Sequence, residues 1–434
     1  MRIGFATDEV TLDEKLVLDV VHRLVQDVEF IDLYNFPLVS PEKLLERVES
    51  RVIINRTSSH NKRSRFAEIV EEAGLKVVNP YGIEYVCNDK LRTKQAFLAN
   101  GIKTIECALF PIFPFRKKKG IFLRDRSRWK KIGEMINKEM KYPVIIKPTG
   151  GSRGKSILFI KSPEHFSSEC MKWYENQTEI PTALYQNSIN PDGTYVEGFL
   201  PHPLDLRIIV SKERNRSPEY RGCLCRGGLS DDVIAKNTAL GAIPLGVDPS
   251  EEIKRLSVDC MEAVAKYAIG RGHDVDCYLV GIDIIPECDR ENERKKVYEA
   301  FKSLSSMHQE IRTVTGSLYD AFKRIQSAQK VLERKKLSIE YEEKILLKKM
   351  LSDRETEFKT TLETLDKKFS KFRRSKEYRH AQKVVRNYLD VSTPLPNEVN
   401  PRPDYGINTR SVAFPKLPEY LVFIALSSMK NVSA

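Results

Sequence analysis

The run Lys147-Pro148-Thr149-Gly150-Gly151-Ser152-Arg153-Gly154-Lys155-Ser156 has the residue types that bind phosphate. Gly150, Gly151 and Gly154 leave the backbone bare, so its N–H groups, with the Ser152 hydroxyl, can face phosphate oxygens. The spacing is one residue short of a Walker A loop, and the β-rich run Ser156–Ile160 follows where that motif needs a helix. The loop is therefore expected to join two strands. A plain hairpin would look the same, but a glycine hairpin covering a triphosphate fits the context. Lys147 closes the preceding strand, Pro143–Ile146, and can reach α- and β-phosphates. Lys90 opens a helix upstream and can enter the same site.

Further oxygen and guanidinium groups recur on strand-like segments. Tyr195-Val196-Glu197-Gly198-Phe199-Leu200 ends a strand, and a strand end with an acceptor and free backbone groups suits an adenine edge. Asp205 and Arg207 fall on one face of the next strand by its period of two. Such a pair can position a ribose or a metal and neutralise a developing phosphoryl charge. Asp283 sits in the apolar run Gly281-Ile282-Asp283-Ile284-Ile285, where an unpartnered carboxylate would cost several kcal/mol and so needs a metal, a cation or donors. Glu398 and Asn400 share one face of a strand far downstream. Asp, Glu and Asn oxygens suit Mg²⁺ bridging phosphates, with Mn²⁺ an alternative. A structural salt-bridge set is the bland alternative for these three.

The elements that must position these groups fall into segments. Over 1–80, strands Ile3–Ala6, Val28–Leu33, Arg51–Ile54 and Val77–Val78 alternate with helical patterns such as Leu12–Val25, which argues for a small parallel α/β domain. Residues 81–142 read as linker helices, including Asp89–Asn100, with a basic stretch from Arg116 to Lys131. Residues 143–288 carry strands Val144–Ile146, Ile157–Ile160, Tyr195–Phe199, Leu206–Val210 and Tyr278–Ile285 with helices between, an α+β arrangement around a mostly antiparallel sheet. From 289 to 391 there is no proline and a single glycine, Gly316. Apolar residues there recur every three or four positions, as in Leu318, Phe322, Ile325, and again Phe358, Leu362, Leu365, Phe369. That pattern predicts a long helical hairpin, coiled-coil-like, its second helix capped by Ser338 or by Ser352 with Glu355. Residues 392–434 return to a strand, Asn397–Asn400, and a closing helix, Leu417–Met429.

The bulk numbers bound the rest. A chain of 434 residues exceeds one comfortable core, so two or three domains are expected. The net charge of +12 favours anionic partners without choosing among them. Residues 291–390 hold 25 Lys+Arg against 16 Asp+Glu, so most of that excess sits in the helical insertion. The eight cysteines form no CxxC pair, which suits scattered thiols in a reducing, cytoplasmic compartment. No apolar run reaches the roughly 18 residues that span a bilayer.

The ordered series resembles the RimK-like branch of the ATP-grasp superfamily, which includes ribosomal-protein and cofactor glutamate ligases. The matching residues are Asn55-Arg56, Asn79 through Asn88-Asp89-Lys90, Pro143–Lys147 with Gly150–Gly154, Asp205-Leu206-Arg207, Arg226 through Asn237 and Gly241, Gly281-Ile282-Asp283, and Glu398-Val399-Asn400. The resemblance covers most of 1–288 and 394–430. It implies an ATP-grasp fold in which Lys90 and Lys147 bind ATP phosphates and Glu197 lies at the adenine hinge. It implies Mg²⁺ on Asp283, Glu398 and Asn400, and Arg207, Arg226 and Asn237 lining the site where an acyl phosphate forms. The implied activity is ATP-dependent joining of a carboxylate to an amine, with small molecules or peptides as substrates. An ATP-grasp kinase acting on a polyol is the second expectation. The third is a binding protein working through the basic hairpin, by self-association, an acidic partner or nucleic acid. Two departures stand out: about 110 residues separate the Asp283 and Glu398 segments where the family has a short hairpin, and Pro401-Arg402-Pro403-Asp404 replaces small residues.

Overall fold

The computed structural model describes residues 2–34, 40–110, 126–150, 157–175, 194–230, 236, 238, 241–334, 341–403, 412 and 416–429. The chain opens with β1 (Arg2–Thr7), α1 (Leu12–Leu24), β2 (Asp27–Asp32), α2 (Pro41–Arg47), β3 (Val52–Asn55), α3 (His60–Glu72) and β4 (Lys76–Val78). The four strands are parallel, in the order β2-β1-β3-β4. β1 and β3 are buried almost throughout, as parallel strands covered on both faces must be. α1 starts where Thr11 accepts the Glu14 N–H, and it turns Leu16, Val17, Val20 and Val21 inward at helical spacing. The chain leaves β1 toward β2 on one side and β3 on the other. The topological switch point therefore lies between β1 and β3, where open α/β sheets bind ligands at the carboxyl ends of their strands.

Next come α4 (Tyr81–Cys87) and α5 (Lys90–Ala99). Glu71, at the end of α3, accepts the Tyr81 N–H at 2.8 Å and so holds the start of α4. Burial pushes its carboxyl from an ordinary 4.5 up to about 7. A raised carboxyl binds its proton more tightly folded than unfolded, so its contribution to stability falls as pH rises from about 4.5 to 7. Glu71→Gln is expected to flatten that part of the stability–pH curve in urea titrations. A curve unchanged across this window would refute the assignment.

A second sheet contains β5 (Cys107–Phe110), β6 (Val144–Pro148), β7 (Leu158–Ile160) and β8 (Thr194–Gly198), antiparallel in the order β5-β8-β6-β7. Helices α6 (Arg126–Met140) and α7 (Pro163–Glu175) cover it around Ile136, Val144, Ile160, Phe166 and Val196. A third sheet has the order β11-β10-β9-β12-β13, also antiparallel. Its strands are β9 (Leu204–Lys212), β10 (Glu219–Gly227), β11 (Ile243–Gly246), β12 (Tyr278–Glu287) and β13 (Thr393–Asn400), with α8 (Glu251–Ile269) between β11 and β12. Pro394 and Pro396 are tolerated because β13 is an edge strand. The single antiparallel sheet expected over 143–288 is thus two sheets, and β5, β10 and β11 gave no strand signal.

Between β12 and β13 the chain runs out along α9 (Glu291–Arg334), back along α10 (Tyr341–Arg374) and then along α11 (Lys376–Asp390). α12 (Leu417–Met429) closes against α1. Ser352 lies inside α10 rather than capping it, because the apolar pattern continues through that position. Ser338 falls outside the described residues. Ser375 interrupts the return helix instead, capping α11 by accepting the Tyr378 N–H at 3.0 Å. The insertion is welded to the third sheet. The Tyr378 hydroxyl accepts the Gly246 N–H at 2.9 Å, Gln382 donates to the Gly246 carbonyl, and Tyr388 donates to the Pro286 carbonyl. Its far reach touches the first sheet, where Gln326 donates to the Val10 carbonyl at 2.6 Å.

Phe301 of α9 packs directly on Gly227, at the end of β10, where any Cβ would overlap the ring. Gly227→Ala is expected to cost about 1–3 kcal/mol, read from the urea midpoint. An unchanged midpoint would mean that α9 is not anchored there.

Candidate active site

The third sheet brings five of the expected site residues onto one face, in two neighbouring register rows. Arg226 of β10 faces Asp205 of β9 in register, Arg207 of β9 faces Asp283 of β12, and Asp283 faces Glu398 of β13. Arg226 donates from Nε to Asp205 Oδ1 (2.6 Å) and from an Nη to Asp205 Oδ2 (3.0 Å). It also pairs with Asp283 at 2.9 Å. Arg207 grips Asp283 with two parallel donors, both at 2.8 Å. This alternation of carboxylate and guanidinium lets buried charges coexist. For Asp283, burial alone would raise the pKa, but Arg207 and Arg226 reverse the sign and hold it well below the usual carboxylate range. Asp205 moves the other way, to about 6: burial raises it, Arg226 opposes, and the neighbouring Asp283 adds to the rise.

The second sheet supplies a separate cationic group. β6 and β7 are antiparallel with the glycine loop between them, as the sequence requires. Lys147, at the end of β6, lies 2.8 Å from Glu197 Oε1 of β8. A second lysine, Lys94 of α5, is fully buried and lies 2.9 Å from Glu197 Oε2. Burial pushes the Glu197 carboxyl up, yet the two ammonium groups outweigh it and hold the pKa at about 2. Glu197 therefore spends its side chain on the two lysines. Sequence reasoning missed Lys94. Its position one helical turn after Lys90 was the available signal, since the two then share a face.

Lys90 joins the two groups. Its N–H donates to the Thr149 carbonyl at 2.8 Å, fixing α5 to the start of the glycine loop, and its ammonium lies 3.5 Å from Glu398. Asn400, on the same face as Glu398, accepts the Arg402 N–H at 3.0 Å. Gly150 lies beside the Asn88 carbonyl. Gly151, Ser152, Gly154 and Asn237 lie outside the described residues. Next to Asn237, Lys236 is buried, donates to the Ser230 carbonyl at 3.0 Å and lies under the Tyr298 ring of α9.

The first sheet meets this set from the other side. Asn79, just past β4, exchanges hydrogen bonds with the Leu279 backbone and donates to the Pro401 carbonyl. At the switch point, Glu14 receives Arg56 at 2.9 Å and Arg402 at 2.6 Å. Beside it, Arg63 holds Glu84 at 2.8 Å and donates to Asn88 at 3.0 Å, and Asn88 also bonds His60. The meeting of the first sheet with the segment after β13 is thus held by ion pairs of buried charges.

The donor chemistry suits a divalent cation. Asp283 and Glu398 are directly opposed carboxylates, which repel each other unless cations lie between or beside them. Here Arg207, Arg226 and Lys90 perform that neutralisation. With Asn400 they are all hard oxygens, the set preferred by Mg²⁺ beside phosphates. Among the described residues, no three His, Cys, Asp or Glu already converge as a metal cage. No described helix is long and apolar enough to cross a membrane.

No family model matches the chain. It is 25% identical over 281 residues to the alpha-aminoadipate–LysW ligase LysX of Saccharolobus solfataricus, covering 64% of this chain and 85% of the relative. The LysX of Sulfurisphaera tokodaii is 24% identical over 276 residues, covering 62% and 84%. Among solved structures, a RimK domain ATP-grasp protein from Sphaerobacter thermophilus superposes with a TM-score of 0.42 at 12% identity, covering 67% of this chain and 87% of that one. The D-alanine–D-alanine ligase of Bacillus anthracis gives 0.40 at 14%, covering 66% and 82%. In sequence the chain is thus similar, at about a quarter identity over roughly two thirds of its length, to proteins named as LysX ligases.

Proposed function

We propose that the protein is an ATP-dependent carboxylate–amine ligase that forms an amide through an acyl phosphate. The observation that carries this reading is the set Arg226–Asp205–Arg207–Asp283–Glu398, joined by Lys90 to the Lys94–Glu197–Lys147 group. The first relatives matched are named as ligases, which supports the reaction type.

Lys147 and Lys90, with Lys94 beside Lys147, would bind ATP phosphates together with the N–H and hydroxyl donors of Gly150, Gly151, Ser152 and Gly154. The adenine would lie along the strand end after Glu197. Asp283, Glu398 and Asn400 would hold Mg²⁺, which supplies charge neutralisation on the phosphates, and Mn²⁺ would satisfy the same donors. Arg207, Arg226 and Asn237 would line the site where the substrate carboxylate attacks the γ-phosphate, the arginines stabilising the spreading charge. An amine then displaces phosphate from the acyl carbon. Positioning accounts for most of such catalysis. The site needs no nucleophilic side chain. Among the described residues the cysteines are free, and all but Cys107 are buried, which suits a reducing, cytoplasmic compartment.

The test is release of ADP and phosphate from purified protein with Mg-ATP across pooled carboxylates and amines. Release of both, dependent on one carboxylate and one amine, supports the ligase. ADP without phosphate would replace it with a kinase. No turnover and no ATP binding would overturn the enzyme reading.

A further inference from the structure

We propose that the exposed face of α11, continued by the last turns of α10, is a docking surface for an acidic polypeptide. The inference stands on the insertion alone and does not depend on the reaction above. Along α11, Lys376, Arg379, Lys383 and Arg386 are all exposed, and their spacing of three, four and three residues places them on one stripe. The opposite stripe, Tyr378, Ala381, Val385, Tyr388 and Leu389, is buried. On α10, Lys367, Lys371 and Arg374 form a matching stripe opposite buried Leu365, Phe369 and Phe372. The two stripes meet at Ser375, where one helix ends and the next begins.

The α11 charges are not neutralised by ion pairs among the described residues. Among the described residues, none of Lys376, Lys383 and Arg386 makes an ion pair, and Arg379 donates only to the Arg374 and Ser375 carbonyls. Elsewhere on the insertion four basic residues pair with acids, Lys295 with Glu291, Lys296 with Glu293, Lys368 with Glu310 and Arg324 with Glu357, whereas exposed Lys302, Lys323, Lys330 and Lys359 stand apart from one another rather than in one stripe. A stripe of unneutralised like charges raises the local potential and draws an anionic partner.

The shape selects the kind of anion. The α11 stripe is one helix wide and about 15 Å long from its helical rise. Asp390 bounds it at one end, Glu377 lies on its flank, and the α10 stripe continues it as a ridge of the same width toward Glu363. A ridge this narrow suits one chain of carboxylates rather than the two phosphate strands of a duplex. Single-stranded nucleic acid would need aromatic platforms, and Phe372, Tyr378 and Tyr388 are buried. Insertion into a lipid surface is closed, because the apolar side of α11 is already packed in the core.

Fluorescence anisotropy of a short labelled polyglutamate peptide with the full chain tests this. Three arms run beside it: the K376E/R379E/K383E/R386E variant, the R51E/R255E/K266E/R271E variant with the same charge change at exposed sites elsewhere, and duplex DNA or phosphatidylserine vesicles as rival probes. The expected result is salt-sensitive peptide binding that weakens at least about tenfold in the stripe variant and less than about threefold in the other. Circular dichroism and the urea midpoint confirm that both variants fold. Equal losses in the two variants would reduce the effect to bulk charge and overturn the proposal. Tighter binding of DNA or vesicles than of peptide, or no peptide binding, would overturn it as well.

Discussion

Asp283→Asn is expected to lower folding stability by about 3–5 kcal/mol and to cut ATP turnover at least about a hundredfold. The stability loss follows from what the carboxylate does without any ligand. It takes two donors from Arg207 and one from Arg226, all within 2.9 Å. An asparagine keeps the shape but removes the countercharge, leaving buried guanidinium groups. Arg226 still has Asp205, held by two bonds of its own. Arg207 is the group that suffers.

That asymmetry separates structure from chemistry. Adding Arg207→Met to Asp283→Asn removes the stranded charge, so the double variant should recover most of the lost stability. Turnover should not recover, because the proposed mechanism uses both the Asp283 carboxylate and the Arg207 guanidinium at the phosphates. The measurements are urea midpoints and ADP release for the two single variants and the double. A single Asp283→Asn variant with turnover within threefold of the parent would remove this set from the active site.

Parts of this arrangement are legible in the sequence, and the reason is local. Lys147 and the loop after it announce themselves because glycine content and strand context are properties of ten neighbouring residues. Glu398 and Asn400 on one face, and Asp205 with Arg207, follow from the two-residue period of a strand. The helical insertion is visible because its apolar spacing persists for about a hundred residues without proline.

What the sequence hides is set by tertiary contact. Strand period says that Asp205 and Arg207 share a face, not that Arg226 and Asp283 lie beside them, because register between β9, β10 and β12 depends on which strands pair. Lys94 looks like one more surface lysine on an amphipathic helix, and only the approach of β8 turns it into a buried partner of Glu197. β5 is four residues long beside a basic, proline-containing stretch, too short for a periodic signal. The Glu14–Arg402 contact spans 388 positions and has no local trace at all. Ser352 misled because a capping box is a four-residue pattern, whereas the packing that keeps α10 continuous extends over many turns.

Glu197→Gln is expected to have the second largest effect, and an unusual one, because the phosphates of ATP should offset it. Glu197 is the shared counterion of Lys94 and Lys147, and both ammonium groups are buried. Removing its charge leaves two buried cations close together, at a cost of about 3–5 kcal/mol. The sign of the pH effect follows from its depressed pKa. A carboxyl lowered from 4.5 to about 2 contributes stability that is fully present above about 4.5 and lost as pH falls toward 2. The parent chain should therefore lose stability steeply over that window, and Glu197→Gln should lack that part of the slope. Polyphosphate would restore the missing negative charge, so ATP should raise the melting temperature of the variant more than that of the parent. A variant with the parent's acid profile would show that Glu197 does not neutralise the lysines. A variant stabilised by ATP no more than the parent would place the phosphates somewhere other than against Lys94 and Lys147.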